Sequence, residues 1–325
     1  MRSQNAFVLY VTDLLLYNYT DGLTYLDVPP EPEQTYVLGS RLADYALALV
    51  FALLIPAARW VLTAAVYRPT GRYFMSRRSS SDPERMRKWV ESAWKLTVYT
   101  AFSVTAFLVS YQHVWFYDTR YFWMGCTKFP PCNLHVSEGV LLFYCIQTGF
   151  YVQAIHFLAF HEVRRKDWLE SMIHHVATVG LLAYSYYVNF CRIGVLIMLL
   201  HDISDIFLEL AKLCRYCRRP TAATVSFATF FVSWVALRML YFPLVIIRST
   251  LSEPMGLVGR YIDVDPMPHY LIFNGLLLLL LVLHTYWSYL ILLVLINTVK
   301  NQGHGGDVRE GDEGGNDDEE DDKED

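Results

Sequence analysis

Charge is scarce in this sequence: 18% of its 325 residues are Asp, Glu, Lys or Arg, against 54% in the hydrophobic set, with 23 Tyr, 19 Phe and 8 Trp. Soluble domains carry about a quarter charged residues, so one or two soluble domains are excluded and a membrane protein is expected. A basic excess is absent too. The formal net charge is −5, and the bases are spread between apolar runs, which leaves a nucleic-acid partner without support. Residues 1–36 hold no basic segment followed by an uninterrupted apolar run and a small-residue cleavage site. No cleaved signal peptide is therefore expected, and the first true span would serve for targeting. The chain also lacks the H-x-x-H-H triplets of membrane di-iron sites. His156-x4-His161 with His174-His175 is too small a set, so neither a metal nor a bound cofactor is expected.

The net charge conceals two compositions. The last 25 residues, from Asn301, hold 12 acids and two bases, a net −10, and the other 300 residues are +5. A Gly-rich acidic tail cannot bury enough apolar surface to fold alone, and 298–325 is expected to be a disordered cytosolic tail. In the body, a helix needs roughly 20 apolar residues to cross a bilayer with its backbone groups satisfied internally. Seven stretches qualify, about 42–66, 96–116, 139–160, 171–190, 193–213, 222–247 and 270–296, the fourth and fifth being the least oily. The fold class expected is an all-α polytopic membrane protein of about seven transmembrane helices.

Orientation follows from the bases, because short cytoplasmic loops are enriched in Lys and Arg. Residues 67–95 form a basic cytosolic loop on this reading, with 161–170 and 212–221 on the same side. The opposite set, 1–41, 117–138 and 248–269, carries Pro29-Pro30, Pro130-Pro131 and Pro266-Met267-Pro268. The N-terminal arm is then lumenal and the acidic tail cytosolic. The sequon Asn18-Tyr19-Thr20 falls in that arm as a glycosylation candidate. Cys126 and Cys132 share a predicted lumenal loop and are a disulfide candidate in an oxidising compartment. Cys214 and Cys217 are juxtamembrane, with free thiols, palmitoylation and half a zinc site all open.

Ionisable groups within the hydrocarbon are costly and mark function. Here they concentrate in one hairpin, the fourth and fifth spans. Asp202, Asp205, Glu209 and Lys212 recur at i, i+3, i+7 and i+10, and His201 flanks that stripe. His174 and His175 start the fourth span at a matching depth. Lone histidines such as His113, His156 or His284 are read as packing residues, and Glu209 with Lys212 as either an interfacial pair or part of the site. Two adjacent histidines with two aspartates support proton abstraction or nucleophilic attack by imidazole, a carboxylate fixing its tautomer. Acyl transfer to an amine is one such reaction.

Residues 174–213, HHVATVGLLAYSYYVNFCRIGVLIMLLHDISDIFLELAKL, resemble the signature of the ceramide synthase family within the TLC-domain membrane proteins. Paired His174-His175, Arg192-x-Gly194, His201-Asp202-x-Ser204-Asp205 and Glu209 carry the match. Tyr117-Asp118-Thr119-Arg120, Tyr241-Phe242-Pro243, Asn274-Gly275-Leu276 and His284 with Trp287-Ser288-Tyr289 extend it over roughly 95–297. The family often follows Ala-Lys with Asn-Tyr where this chain has Cys214-Arg215-Tyr216. Residues 67–95 are too few for the homeobox-like insert of some members, so the chain is similar to the shorter type.

The resemblance implies a six-helix TLC catalytic domain, 96–297, around a long tunnel, with the first span, 42–66, peripheral. It implies an endoplasmic reticulum N-acyltransferase that uses fatty acyl-CoA as co-substrate and a sphingoid base as acceptor, among membrane lipids and as a homo- or heterodimer. His174, His175, His201, Asp202 and Asp205 become the catalytic candidates, the aspartates orienting the histidines. Arg164, Arg165, Lys166, Arg215, Arg218 and Arg219 become candidate CoA contacts, although positive-inside topology explains them equally well. Arg238 is expected to pair with a polar group in the core. A non-enzymatic lipid-sensing or translocation protein of the TLC type is the competing reading, and it would be expected to lose the paired His or the His-Asp.

Overall fold

The computed structural model describes residues 41–126, 129–132, 134, 136–162, 165–254 and 267–300. The N-terminal arm with Asn18, Arg164 and the acidic tail lie outside them. Every regular element among the described residues is helical. Helix α1 (Arg41–Leu62) continues through a π turn, Thr63–Tyr67, into α2 (Arg68–Phe74), and α3 (Arg77–Ser81) follows. Then come α4 (Pro83–Ser110), α5 (Glu138–Phe160), α6 (Trp168–Val188), α7 (Cys191–Tyr216) and α8 (Pro220–Trp234). A π segment, Val235–Ile247, leads into α9 (Arg248–Ser252), and α10 (Met267–Lys300) ends the described chain.

Long helices stand where the seven apolar stretches lie. Among the described residues, four stretches are long and apolar enough to cross a membrane by length and composition alone: Ala43–Phe74, Glu138–Phe160, Pro220–Ser252 and Met267–Ile296. Helices α6 and α7 fall short because of their ionisable residues. Helix α4 falls short as well, since Thr97, Tyr99, Thr100, Ser103 and Thr105 dilute its apolar run. The segment 67–95, read from its bases as a loop, is largely helical, because Pro83 at the first helical position and the Asp82 side chain, accepting from the Glu84 amide, start α4 well before the apolar run.

Local chemistry sets the joints. Ser137 caps α5 by accepting from the Val140 amide at 3.2 Å. The α6–α7 turn is made by Asn189, left-handed at φ 65°, whose Nδ2 donates to the Cys132 and Leu134 carbonyls at 2.7 and 2.6 Å. Cys126 and Cys132 are disulfide-bonded. The bridged loop is thereby fixed against the turn.

Packing then places the helices. Helix α4 lies against α7 and α5, α7 against α8, and α10 against α6 and the π segment, while α1 packs on α5 from outside. Gly149 makes that last contact close: a Cβ there would meet the Ala48 carbonyl oxygen at 2.6 Å. The outward face of α1, with Leu53, Leu54 and Trp60, stays exposed, as a lipid-facing surface should. At the basic end, Lys95 reaches both Glu91 and Glu162 at 2.9 Å, and Arg165 reaches Glu91 at 3.4 Å. These pairs tie α4 to the end of α5 and to the approach to α6.

Candidate active site

Between α6, α7 and α10 lies an apolar cavity of about 990 Å³, its open mouth included. Helix α6 contributes His174, Thr178, Leu181, Leu182 and Ser185, spaced to fall on one face; α7 contributes Ile193, Gly194, Ile197, Met198 and His201; α10 contributes Phe273, Asn274, Leu277 and Leu280. His174 and His201 stand at one end. Trp123, Phe129, Phe190 and His269 stand at the other.

His174 is the one member of the histidine pair in the wall. Its Nδ1 is buried without a hydrogen-bond partner, and its ring meets Trp287 edge-to-face at 5.4 Å. Trp287 is itself anchored, its Nε1 donating to Asp167 Oδ2 at 3.0 Å. The His175 ring, about 100° further round α6, turns to Tyr151, 5.7 Å away. Tyr151 also lines the cavity.

His201 has its tautomer set by its neighbours. Its Nδ1 lies 2.6 Å from the Ile197 carbonyl, which only accepts, so Nδ1 carries the hydrogen. Nε2 of the neutral ring is then an acceptor, and the His284 Nε2–H donates to it at 2.9 Å. Both imidazoles are occupied with each other, which makes His201 a member of the wall and leaves His174 the freer ring.

The aspartates do not touch the histidines. Asp202 accepts from Gln147 Nε2 at 3.0 Å, and Asp205 pairs with Arg238 at 2.7 Å. Arg238 further donates to Ser204 Oγ at 3.0 Å and the His201 carbonyl at 2.7 Å, with its guanidinium over the Trp234 ring at 4.2 Å. The expected carboxylate-to-imidazole contact is thus replaced by two others. On α7, residues 202 and 205 share a face turned to α5 and the π segment, whereas His201, one residue before Asp202, faces the cavity.

Other candidates are dispersed. Glu209 and Lys212 form a pair at 2.8 Å. Lys166, Arg215, Arg218 and Arg219 are exposed, and Arg165 is half-buried against Glu91. Sequence reasoning passed over Gln147 and Tyr151, met Trp287 only within the family match, and read His284 as a packing residue. Gln147 and Tyr151 lie one turn apart on α5, a polar i, i+4 pair in an apolar helix, which was the available signal. Gly194 has a steric role: a Cβ there would sit 1.5 Å from the Tyr144 hydroxyl, which lies against α7 and 3.3 Å from Ser185 Oγ.

At the far end a half-buried carboxylate clasps the cavity wall. Glu253 accepts from Thr119 Oγ1 at 2.6 Å, Ser249 Oγ at 2.6 Å and Trp123 Nε1 at 3.1 Å. Burial holds its carboxyl above the ordinary 4.5, with the nearby Asp118 adding to the push, and the three hydrogen bonds do not fully offset it. A raised folded-state value stabilises below the ordinary value and is lost as pH rises through the folded one. The melting temperature of the parent, measured against Glu253→Gln, is therefore expected to fall as pH rises from about 4 to 7. A flat difference across that window would show that the clasp does not titrate there.

Comparison with known proteins matches this architecture. The TLC domain family model covers residues 88–293, and the chain belongs to the TLC-domain membrane proteins: it is a multi-pass membrane protein. ASC1-like protein 3 of Oryza sativa subsp. japonica is 40% identical over 273 residues, 82% of this chain and 94% of the relative. Ceramide synthase LOH2 of Arabidopsis thaliana is 37% identical over 82% of this chain and 90% of its own length. Ceramide synthase 1 LOH3 of the same plant is 35% identical over 83% and 91%. Within the TLC-domain proteins, this chain is a member of the ceramide synthase family.

Proposed function

We propose that this protein transfers a fatty acyl group from acyl-CoA to the amine of a sphingoid base, forming ceramide or dihydroceramide. The observation that carries the proposal is His174, a ring without a fixed hydrogen-bond partner on Nδ1, set in the wall at one end of a long apolar cavity. The names of the relatives supply the product class. An imidazole nitrogen of His174 attacks the thioester carbonyl; the C–N bond forms, the C–S bond breaks, and CoA leaves as thiolate. The amine then attacks the acyl-imidazole, the amide forms, and the imidazole leaves while the amine's proton passes to the thiolate or to solvent. A general-base route, in which imidazole takes the amine proton as the amine attacks the thioester directly, uses the same residue.

On this reading the exposed bases Lys166, Arg215, Arg218 and Arg219, with Arg164 and Arg165, lie on the cytosolic side and meet the phosphates of CoA. The N-terminus is lumenal, the C-terminus cytosolic and the membrane that of the endoplasmic reticulum, as the positive-inside loops and the family support. Purified protein in detergent, given a long-chain base and an acyl-CoA, is expected to release free CoA thiol and N-acyl product in equal amounts. Folded protein that yields no N-acyl product with any acyl-CoA would overturn the proposal. Mass spectrometry for an acyl adduct on His174 separates nucleophile from base.

A further inference from the structure

We infer that Tyr151 is a further catalytic residue of the same site: its hydroxyl donates the hydrogen bond that stabilises the oxyanion formed when the thioester carbonyl is attacked. The inference rests on the acyltransferase reading above. In that reaction a nitrogen forms a bond to the carbonyl carbon and the C=O π pair moves onto oxygen, whether the attacking group is the His174 imidazole or the amine itself. The negative oxygen then collapses and CoA is expelled as thiolate. A charge formed against apolar walls is costly, and a preorganised donor within reach of His174 is what lowers that cost. The donor keeps its proton throughout.

Tyr151 is the donor that the wall leaves available at that end. The residue lines the cavity and is 8% exposed, and its hydroxyl makes no hydrogen bond among the described residues. Neighbouring rings place it. Tyr151 meets Phe150 edge-to-face at 5.4 Å and His175 at 5.7 Å, and the His175 ring lies 5.6 Å from that of His174. The other polar side chains of the wall near His174 are committed. Thr178 Oγ1 donates to the His174 carbonyl at 2.8 Å. His201 gives its Nδ1–H to the Ile197 carbonyl, and its Nε2 accepts from His284. Tyr144 sits beside Ser185, about 16 Å along α6 from His174 at about 1.5 Å per residue, too far to serve a carbonyl that reacts there. Behind the wall, Gln147 Nε2 is held by Asp202 and Trp287 Nε1 by Asp167. The unused hydroxyl of Tyr151 and the unpartnered Nδ1 of His174 thus share one end of the cavity.

Tyr151→Phe and the parent are to be compared on an acyl-CoA thioester and on its dithioester analogue, in which sulfur, a weak acceptor, replaces the carbonyl oxygen. With the thioester, Tyr151→Phe is expected to lower kcat and kcat/KM about equally, by about 100- to 1,000-fold, and to leave KM for acyl-CoA unchanged. Its melting temperature is expected to match the parent's, because no hydrogen bond of the fold is lost. With the dithioester, the parent is expected to lose most of its advantage, so that the two proteins turn over at nearly the same rate. Parent protein without N-acyl product from any thioester would fail the acyltransferase reading itself. With an active parent, full thioester activity in Tyr151→Phe would overturn the oxyanion role alone. A loss of equal size on thioester and dithioester would overturn it too, since the hydroxyl would then act elsewhere than on the carbonyl oxygen. So would a variant that fails to fold, which would assign the hydroxyl to the structure of the bundle.

Discussion

His174→Ala is expected to lower N-acylation by about a thousandfold or more while leaving the protein folded, because the variant removes an imidazole that combines a place in the cavity wall with a buried nitrogen free of fixed partners. The contrast with its neighbours gives the prediction its force. His175 faces Tyr151 rather than the cavity, so His175→Ala is expected to lose about 10- to 100-fold through displacement of Tyr151. His201 is held between the Ile197 carbonyl and His284; in its neutral tautomer it has no lone pair left for substrate. Turnover assays on detergent-purified variants of matched melting temperature check the ranking. If His174→Ala keeps full activity and His201→Ala loses it, the roles assigned to the two rings are reversed.

The second large effect is on stability. Arg238→Met is expected to cost about 3–5 kcal/mol, since it strands the Asp205 carboxylate in the bundle and leaves the His201 carbonyl and Ser204 hydroxyl short of a donor. The guanidinium's contact with Trp234 is lost in the same step. Neutralising both partners removes the stranded charge, so R238M combined with D205N is expected to recover a large part of the loss. Thermal melting in one detergent across the two single variants and the double one measures the coupling. Additive losses would show that Arg238 and Asp205 act independently.

The stretches of sequence that carried most information were those under the strongest physical constraint. A helix in hydrocarbon has to be apolar for its full length, so the positions of the long helices could be read from runs of side chains. The same constraint makes every intramembrane charge conspicuous, which is why the α6–α7 hairpin stood out before any geometry was known. It also explains what stayed hidden. Gln147 and Tyr151 form a polar i, i+4 pair on an apolar helix and Trp287 sits in a matched motif, but neither signal says which groups these side chains meet. Their significance comes from the His or Asp side chains that other helices bring against them.

The sequence by itself determined a polytopic helical membrane protein, a hairpin with His174, His175, His201, Asp202 and Asp205, and membership of the ceramide synthase family. Tertiary structure alone decided how those residues divide. Helical periodicity gives a residue's face and depth, but not the partner that faces it across a bundle. Asp205 could therefore be expected to serve a histidine until Arg238, 33 residues away, was seen bonded to it. His284, 83 residues from His201, read as packing until the two rings met at 2.9 Å. In a helical bundle most buried polar side chains take the nearest complementary group, because an unpaired one in the interior costs several kcal/mol; which group is nearest is fixed by the packing of helices distant in sequence.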